Sequence, residues 1–571
     1  MVDKNFGALD APHGLKAPGS QPDGTNLWTQ PKLDGWSVPL PPGTPKDLEV
    51  RHHAPKPLLA TDADLATPLG NPENPSVSPD GSGRPHRLVT IGDSITQGFQ
   101  SFAIHNTGIS WPKMVADAFG FDFSHPEFNG PEAAPGLPLN LEALTRGIEA
   151  AIRERPLPFE APHVLTTAIR MLEEVRHYWE RGAGSNPLSP AQTTFHENLA
   201  IWGWDVRDAL SKDRAWCQRK VDTHQDLLSK LHISNDLMVS HSKERTALRT
   251  LWNASQEGGN VTQISAAKTL GADNGGAGID TLVVALGANN ALGSIGTMKI
   301  TWSDDGYKDV DKKSKYNVWT PEHFRVELHE LATKVGEINA AHTLWLTVPH
   351  VTVLPLVRGV GEKPYYSRYF ARYTRPWISD ADFDANIENC LTGDDARLID
   401  AAIDQYKWAI KQRVHDERTK GNDWYVVDLC GLLDRVAYRR YLASPQSRPY
   451  WWEEVKLVLP AELLAMSPRP DTRFFSSDQH GRTQGGLIAL DGVHPTTIGY
   501  GLIAREVLEV MTLAGVKPMN SNPASINFKE ILDKDTLNSH PPEEIGEDLE
   551  MIGLFNRAID IVEVLLGKKP I

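Results

Sequence analysis

Three short stretches of the sequence carry residue types that can do chemistry. Leu88 to Ile91 is an apolar, β-branched run that predicts a buried strand. Gly92 lets the chain turn there, so Ser94 stands at the mouth of a following helix with its N–H facing a position that a substrate oxygen could occupy. Asp491-Gly-Val-His494 sets a carboxylate three residues before an imidazole. Across a glycine turn, the carboxylate can hold one ring nitrogen while the other faces a cleft, which fixes the tautomer a general base needs. Gly287-Ala288-Asn289 puts an asparagine directly after the apolar run Thr281 to Leu286. That is the carboxyl edge where open α/β sheets place their sites, and the amide can donate to a developing oxyanion. Each stretch taken alone also has an ordinary reading, as a helix cap, a structural Asp–His turn and a local cap.

The elements that would position these residues follow from periodicity. Thr281–Leu286, Thr343–Val348 and Trp424–Leu429 are continuous apolar runs of the kind found in parallel strands covered on both faces. Between them, helices are expected from Thr320-Pro321 through Val335, from Arg397 to Val414 and from Tyr500 to Leu513. Strands alternating with helices predict an α/β fold, a sandwich around a mainly parallel sheet. Further helices are expected near Ser110–Phe119, Leu139–Arg153, Met171–Trp179 and Thr223–Leu231, whereas Gly271 to Gly278 reads as loop. The polar stretch 298–318 reads as an exposed loop, and the aromatics Tyr450-Trp451-Trp452 as core or as the wall of a cleft.

In order and context the three stretches resemble the SGNH or GDSL family of serine hydrolases. The matching pieces are Gly92-Asp93-Ser94-Ile95, Gly287-Ala288-Asn289 and Asp491-x-x-His494, with Ser110-Trp-Pro and Thr347-Val-Pro-His350 echoing a large, poorly characterised subgroup. The resemblance implies a three-layer α/β/α sandwich with a mainly parallel sheet. It makes Ser94 the nucleophile, His494 the general base and Asp491 its orienting partner, with the Ser94 N–H and Asn289 in an oxyanion hole. The family's remaining donor is a glycine N–H after the second strand; Gly136 is the first choice and Gly130 its rival. The implied activity is hydrolysis of a carboxylic ester, of a lipid, an acetylated sugar or a small metabolite, through an acyl-enzyme. Acyl transfer by the same residues and a non-catalytic binding module are the alternatives. Departures are Asn290 where many members have aspartate, and the long intervals between the three stretches. The Gly-x-Ser-x-Gly elbow of α/β-hydrolases is absent, because Thr96 takes its last position.

The family-like domain is placed at 87–515, with insertions near 155–278, 298–320 and 436–480. A Pro- and Gly-rich arm occupies 1–86, in which Trp28, Trp36, Leu58, Leu59 and Leu65 suit an irregular segment laid over the main domain. Residues 516–571 form an extension ending in an amphipathic helix over Leu549–Leu566. A net charge of −15 disfavours nucleic acid as a partner. No apolar stretch is long enough to span a bilayer, and the N-terminus lacks a signal-type apolar core, so a cytoplasmic protein without stable membrane insertion is the default, with secretion left open. Cys217, Cys390 and Cys430 are far apart and odd in number, which argues against a disulfide framework, and His105, His125 and His350 fall in no metal-ligand spacing. No nucleotide-cofactor motif accompanies any expected strand, so neither cofactor nor metal is expected. The oligomeric state is left open.

Overall fold

The apolar runs become the centre of the molecule. The computed structural model describes residues 41–50, 54–59 and 87–543, apart from the short stretches 155–159, 186–189, 232–238, 257–258, 277, 312–315, 365–366 and 521. Strands β1 (Leu88–Gly92), β2 (Ile279–Ala285), β3 (Ala340–Leu346) and β4 (Trp424–Val427) form one parallel sheet in that order. Its register pairs Ile91 with Val284, Val283 with Leu344, and Leu344 with Tyr425. The extended segment 197–201 runs beside β1. Leu199 and Ile201 donate their N–H groups to the carbonyls of Thr90 and Gly92, and Thr90 donates back to Glu197.

Alternation along the strands divides the core into two layers. Val89, Ile91, Leu282, Val284, Trp345 and Val426 face one side. They meet α2 (Gln263–Gly276), α3 (Pro321–Val335) and α4 (Gly393–Thr419). Leu88, Val283, Leu344, Leu346, Tyr425 and Val427 face the other side. There they meet α1 (Trp111–Phe119), α5 (Leu429–Val436) and α6 (Thr497–Leu513). The result is a mixed α/β architecture with helices on both faces of a parallel sheet. Three small antiparallel sheets are added to it.

Two local expectations are corrected. Gly271 to Gly276 is helical as the end of α2, and a Cβ on Gly271 would stand 3.3 Å from the Asn339 backbone. Close packing, and not a turn, accounts for the glycine there. Within 298–318 the chain returns to the core, where Tyr316, Asn317 and Val318 are buried and Asn317 donates its N–H to the Thr301 carbonyl. Trp451 and Trp452 pack on Tyr441 and Ala54, in a cluster separate from the sheet layers.

Part of the N-terminal segment lies on the main body. Leu48 and Ala54 are buried, the Glu49 N–H donates to Gln405, and the Leu58 N–H donates to Asp428 at 2.8 Å. Residues 1–40 and 60–86 and the Leu549–Leu566 segment lie outside the described residues.

Candidate functional site

The site is built at the carboxyl ends of β1 and β2. Gly92 closes β1, and a Cβ there would stand 2.4 Å from Thr96 Oγ1, so only glycine allows the tight turn. Asp93 caps the single helical turn Ser94–Gln97 by accepting the Ile95 N–H, and Ser94 is its first residue. Four hundred residues further on, the chain folds back over it. The Ala489 N–H donates to the His494 carbonyl, the Gly492 N–H to that of Ala489, and the Leu356 N–H to that of Gly492, so the 489–494 loop is held at both ends.

These turns bring Ser94, His494 and Asp491 into one buried hydrogen-bonded chain. His494 Nε2 lies 2.9 Å from Ser94 Oγ, and Nδ1 lies 3.0 Å from Asp491 Oδ2. Asp491 also accepts the N–H groups of Phe102, Val493 and His494 at 2.8, 2.9 and 2.8 Å. Burial alone would raise the Asp491 pKa. The neighbouring His494 and these N–H donors outweigh burial and hold the carboxyl below its usual range. An ionised Asp491 only accepts, so the imidazole proton sits on Nδ1 and the Nε2 lone pair faces the serine hydroxyl. The Phe99 ring packs on the imidazole with centroids 4.4 Å apart and limits its tilt. Asp93 is fully buried beside this group, and burial pushes its carboxyl up to about 7 against the Ile95 N–H and His494, which lower it.

Asn289 stands in the turn after β2, where its Nδ2 donates to the Trp204 carbonyl at 2.8 Å. The amide carries a second hydrogen. Trp204 belongs to the loop that follows the 197–201 segment, and this loop is tied to the serine turn. The Trp202 N–H donates to Gln97 Oε1 at 2.9 Å, and Asn198 Nδ2 donates to the Thr96 carbonyl at 3.1 Å. Gly203 lies between the two tryptophans with φ of +71°, a conformation that favours glycine. Among the described residues no acceptor takes the backbone N–H of Ser94 or of Gly203. Ser94, Gly203, Asn289 and His494 together line a cleft of about 20 Å³.

Gly136 and Gly130 are the two glycines expected to lie beside Ser94. Gly136 donates its N–H to the Asn129 carbonyl, and its own carbonyl accepts Trp179 Nε1. Gly130 packs against it, a Cβ there standing 2.6 Å from Gly136 N. Neither lines that cleft. Gly203 does line it. Its signal in the sequence is the short run Asn198-Leu-Ala-Ile-Trp202, which ends in glycine as a parallel strand does before a loop.

Folding also brings His350 beside Cys430 and Asp434, the described residues whose ligand-type atoms all lie within 4.8 Å of one another. His350 Nδ1 is 3.0 Å from Asp434, and Nε2 is 3.2 Å from Asp404. Burial opposes charge on this ring, but Asp434, Cys430, Asp400 and the bond to Asp404 together raise its pKa well above the usual value. These contacts make the grouping a buried histidine–carboxylate cluster. No protein-family model matches the sequence, and no curated protein matches it.

Proposed function

We propose that this protein is a serine hydrolase of the SGNH type that cleaves carboxylic esters through an acyl-enzyme. The observation that carries the reading is the buried chain from Ser94 Oγ through His494 to Asp491, with bonds of 2.9 and 3.0 Å. His494 Nε2 removes the hydroxyl proton as Ser94 Oγ attacks the ester carbonyl, and Asp491 stabilises the imidazolium that forms. The tetrahedral oxyanion is met by the N–H groups of Ser94 and Gly203 and by the Asn289 amide, donors set around one cleft. His494 then protonates the leaving alcohol. Water, deprotonated by the same nitrogen, attacks the acyl-serine and releases the acid.

The test compares wild type and Ser94→Ala on p-nitrophenyl esters and with a fluorophosphonate probe. Loss of both turnover and labelling in a folded variant is expected, because removing one hydroxyl disturbs no packing. Near-wild-type turnover by Ser94→Ala would overturn the reading, and an unlabelled, inactive wild type would favour a binding module.

A further inference from the structure

A second cavity is lined by the same serine. It has a cavity volume of about 70 Å³ and shares Ser94, His494, Leu292 and Val493 with the polar cleft. It runs between α5, which supplies Leu432, Leu433 and Val436, and α6, which supplies Leu502 and Ile503; Val351 closes it from the loop after β3. Among its 20 lining residues, the side chains that carry a hydrogen-bonding group are Ser94, His494 and Thr472. Thr472 Oγ1 is already engaged, accepting the Tyr438 N–H at 2.9 Å and donating to the Val436 carbonyl at 3.1 Å. Beyond the reactive pair, the cavity therefore offers an occupant nothing to hydrogen-bond.

Protein interiors are close-packed, so an apolar cavity lined by a hydrogen-bonded serine and histidine is not ordinary core. We infer that it is an acyl-chain pocket, and that the substrates are esters of apolar carboxylic acids longer than acetate. This rests on Ser94 being the nucleophile. Gly203 and Asn289 line the polar cleft and not the apolar cavity, so the carbonyl oxygen belongs in the cleft. The apolar cavity suits the hydrocarbon that remains attached during deacylation. An acetyl group would leave the cavity empty, and a sugar, an amino-acyl or a dicarboxylic acyl group would bury polar atoms there without partners. Each methylene moved from water into the pocket should raise kcat/KM about fourfold, until the chain fills it.

The experiment has one reading that needs catalysis and one that does not. In the full-length Ser94→Ala protein, calorimetry with sodium decanoate and sodium acetate below micellar concentration should give saturable decanoate binding at least 100-fold tighter than acetate. In wild type, the ratio of kcat/KM for p-nitrophenyl decanoate to that for the acetate should be large. It should fall at least tenfold in Leu433→Trp and in Val436→Phe, two variants that fill the pocket from different positions and whose folding is checked by circular dichroism. Decanoate that binds no tighter than acetate, or a chain-length ratio that neither folded variant changes, would overturn the pocket. An inactive wild type that still binds decanoate, and loses that binding in Leu433→Trp, would remove the hydrolase reading and keep the pocket.

Discussion

At the residue scale, the chemistry depends on which nitrogen of His494 is free. Asp491 decides this by accepting from Nδ1 while three backbone N–H groups hold the carboxylate in place. Asp491→Asn would turn an NH₂ group toward one of these donors and favour the wrong tautomer. We expect kcat to fall by roughly 10³- to 10⁴-fold, with KM much less affected, as steady-state kinetics will read. Asp93 makes a separate, pH-dependent contribution. Its carboxyl titrates near 7 in the folded protein and near 3.8 when the side chain is exposed. The folded state therefore holds the proton more tightly, and the stability linked to it is complete below about pH 4 and lost as pH rises through 7. Asp93→Asn keeps an acceptor for the Ile95 N–H but cannot titrate. Relative to wild type it should gain up to about 4 kcal/mol between pH 4 and pH 8. Denaturant midpoints measured across that range check this, and parallel pH curves for the two proteins would refute it.

At the scale of elements, the loop of residues 202–204 is the piece that completes the polar cleft. It is fixed from both sides, by Gln97 on the serine turn and by Asn289 on the turn after β2. The Trp204 carbonyl takes one amide hydrogen of Asn289 and so orients the other. Asn289→Ala removes a donor and frees this loop together. The expected result is a loss of roughly 10²- to 10³-fold in kcat with little change in KM, and an effect confined to KM would argue against an oxyanion role. Gly203→Ala should be impaired as well, since alanine at φ of +71° is strained and its Cβ would stand 2.5 Å from Lys243 Cε. Because the lysine end can move, the loss should appear in kcat more than in thermal stability.

At the scale of the whole molecule, a buried ion pair joins three distant parts of the chain. Lys407 on α4 donates to Asp428, which caps α5, and the same carboxylate accepts the Leu58 N–H from the N-terminal segment. Burial alone would raise the Asp428 pKa, but Lys407 and the donors around it hold it down at about 2. Its contribution is therefore present above about pH 4 and lost as pH falls toward 2. Lys407→Met leaves that carboxylate buried without its cation, and should cost about 3–5 kcal/mol of stability at pH 7. Thermal unfolding read at pH 7 and pH 3 should show a smaller difference between variant and wild type at the lower pH. An equal difference at both would separate the effect from this charge.

The sequence by itself determined the elements and two of the turns. Leu88–Ile91, Thr281–Leu286 and Trp424–Leu429 are apolar enough to form buried strands, and Gly92-Asp93-Ser94 and Asp491-x-x-His494 need only near neighbours for their local geometry. What lies beside what was decided by tertiary structure. Gly136 precedes a helix in a way that suits a site loop, yet its N–H is taken by Asn129 seven residues earlier. Gly203 follows a segment that is strand-like only because β1 offers it Thr90 and Gly92 as partners. The meeting of Ser94 with His494, and the apolar space behind them, depend on sheet order and on how α5 and α6 pack against it. Local turn chemistry is encoded in adjacent residues, whereas a contact across 400 positions exists only once the sheet has set the chain's path.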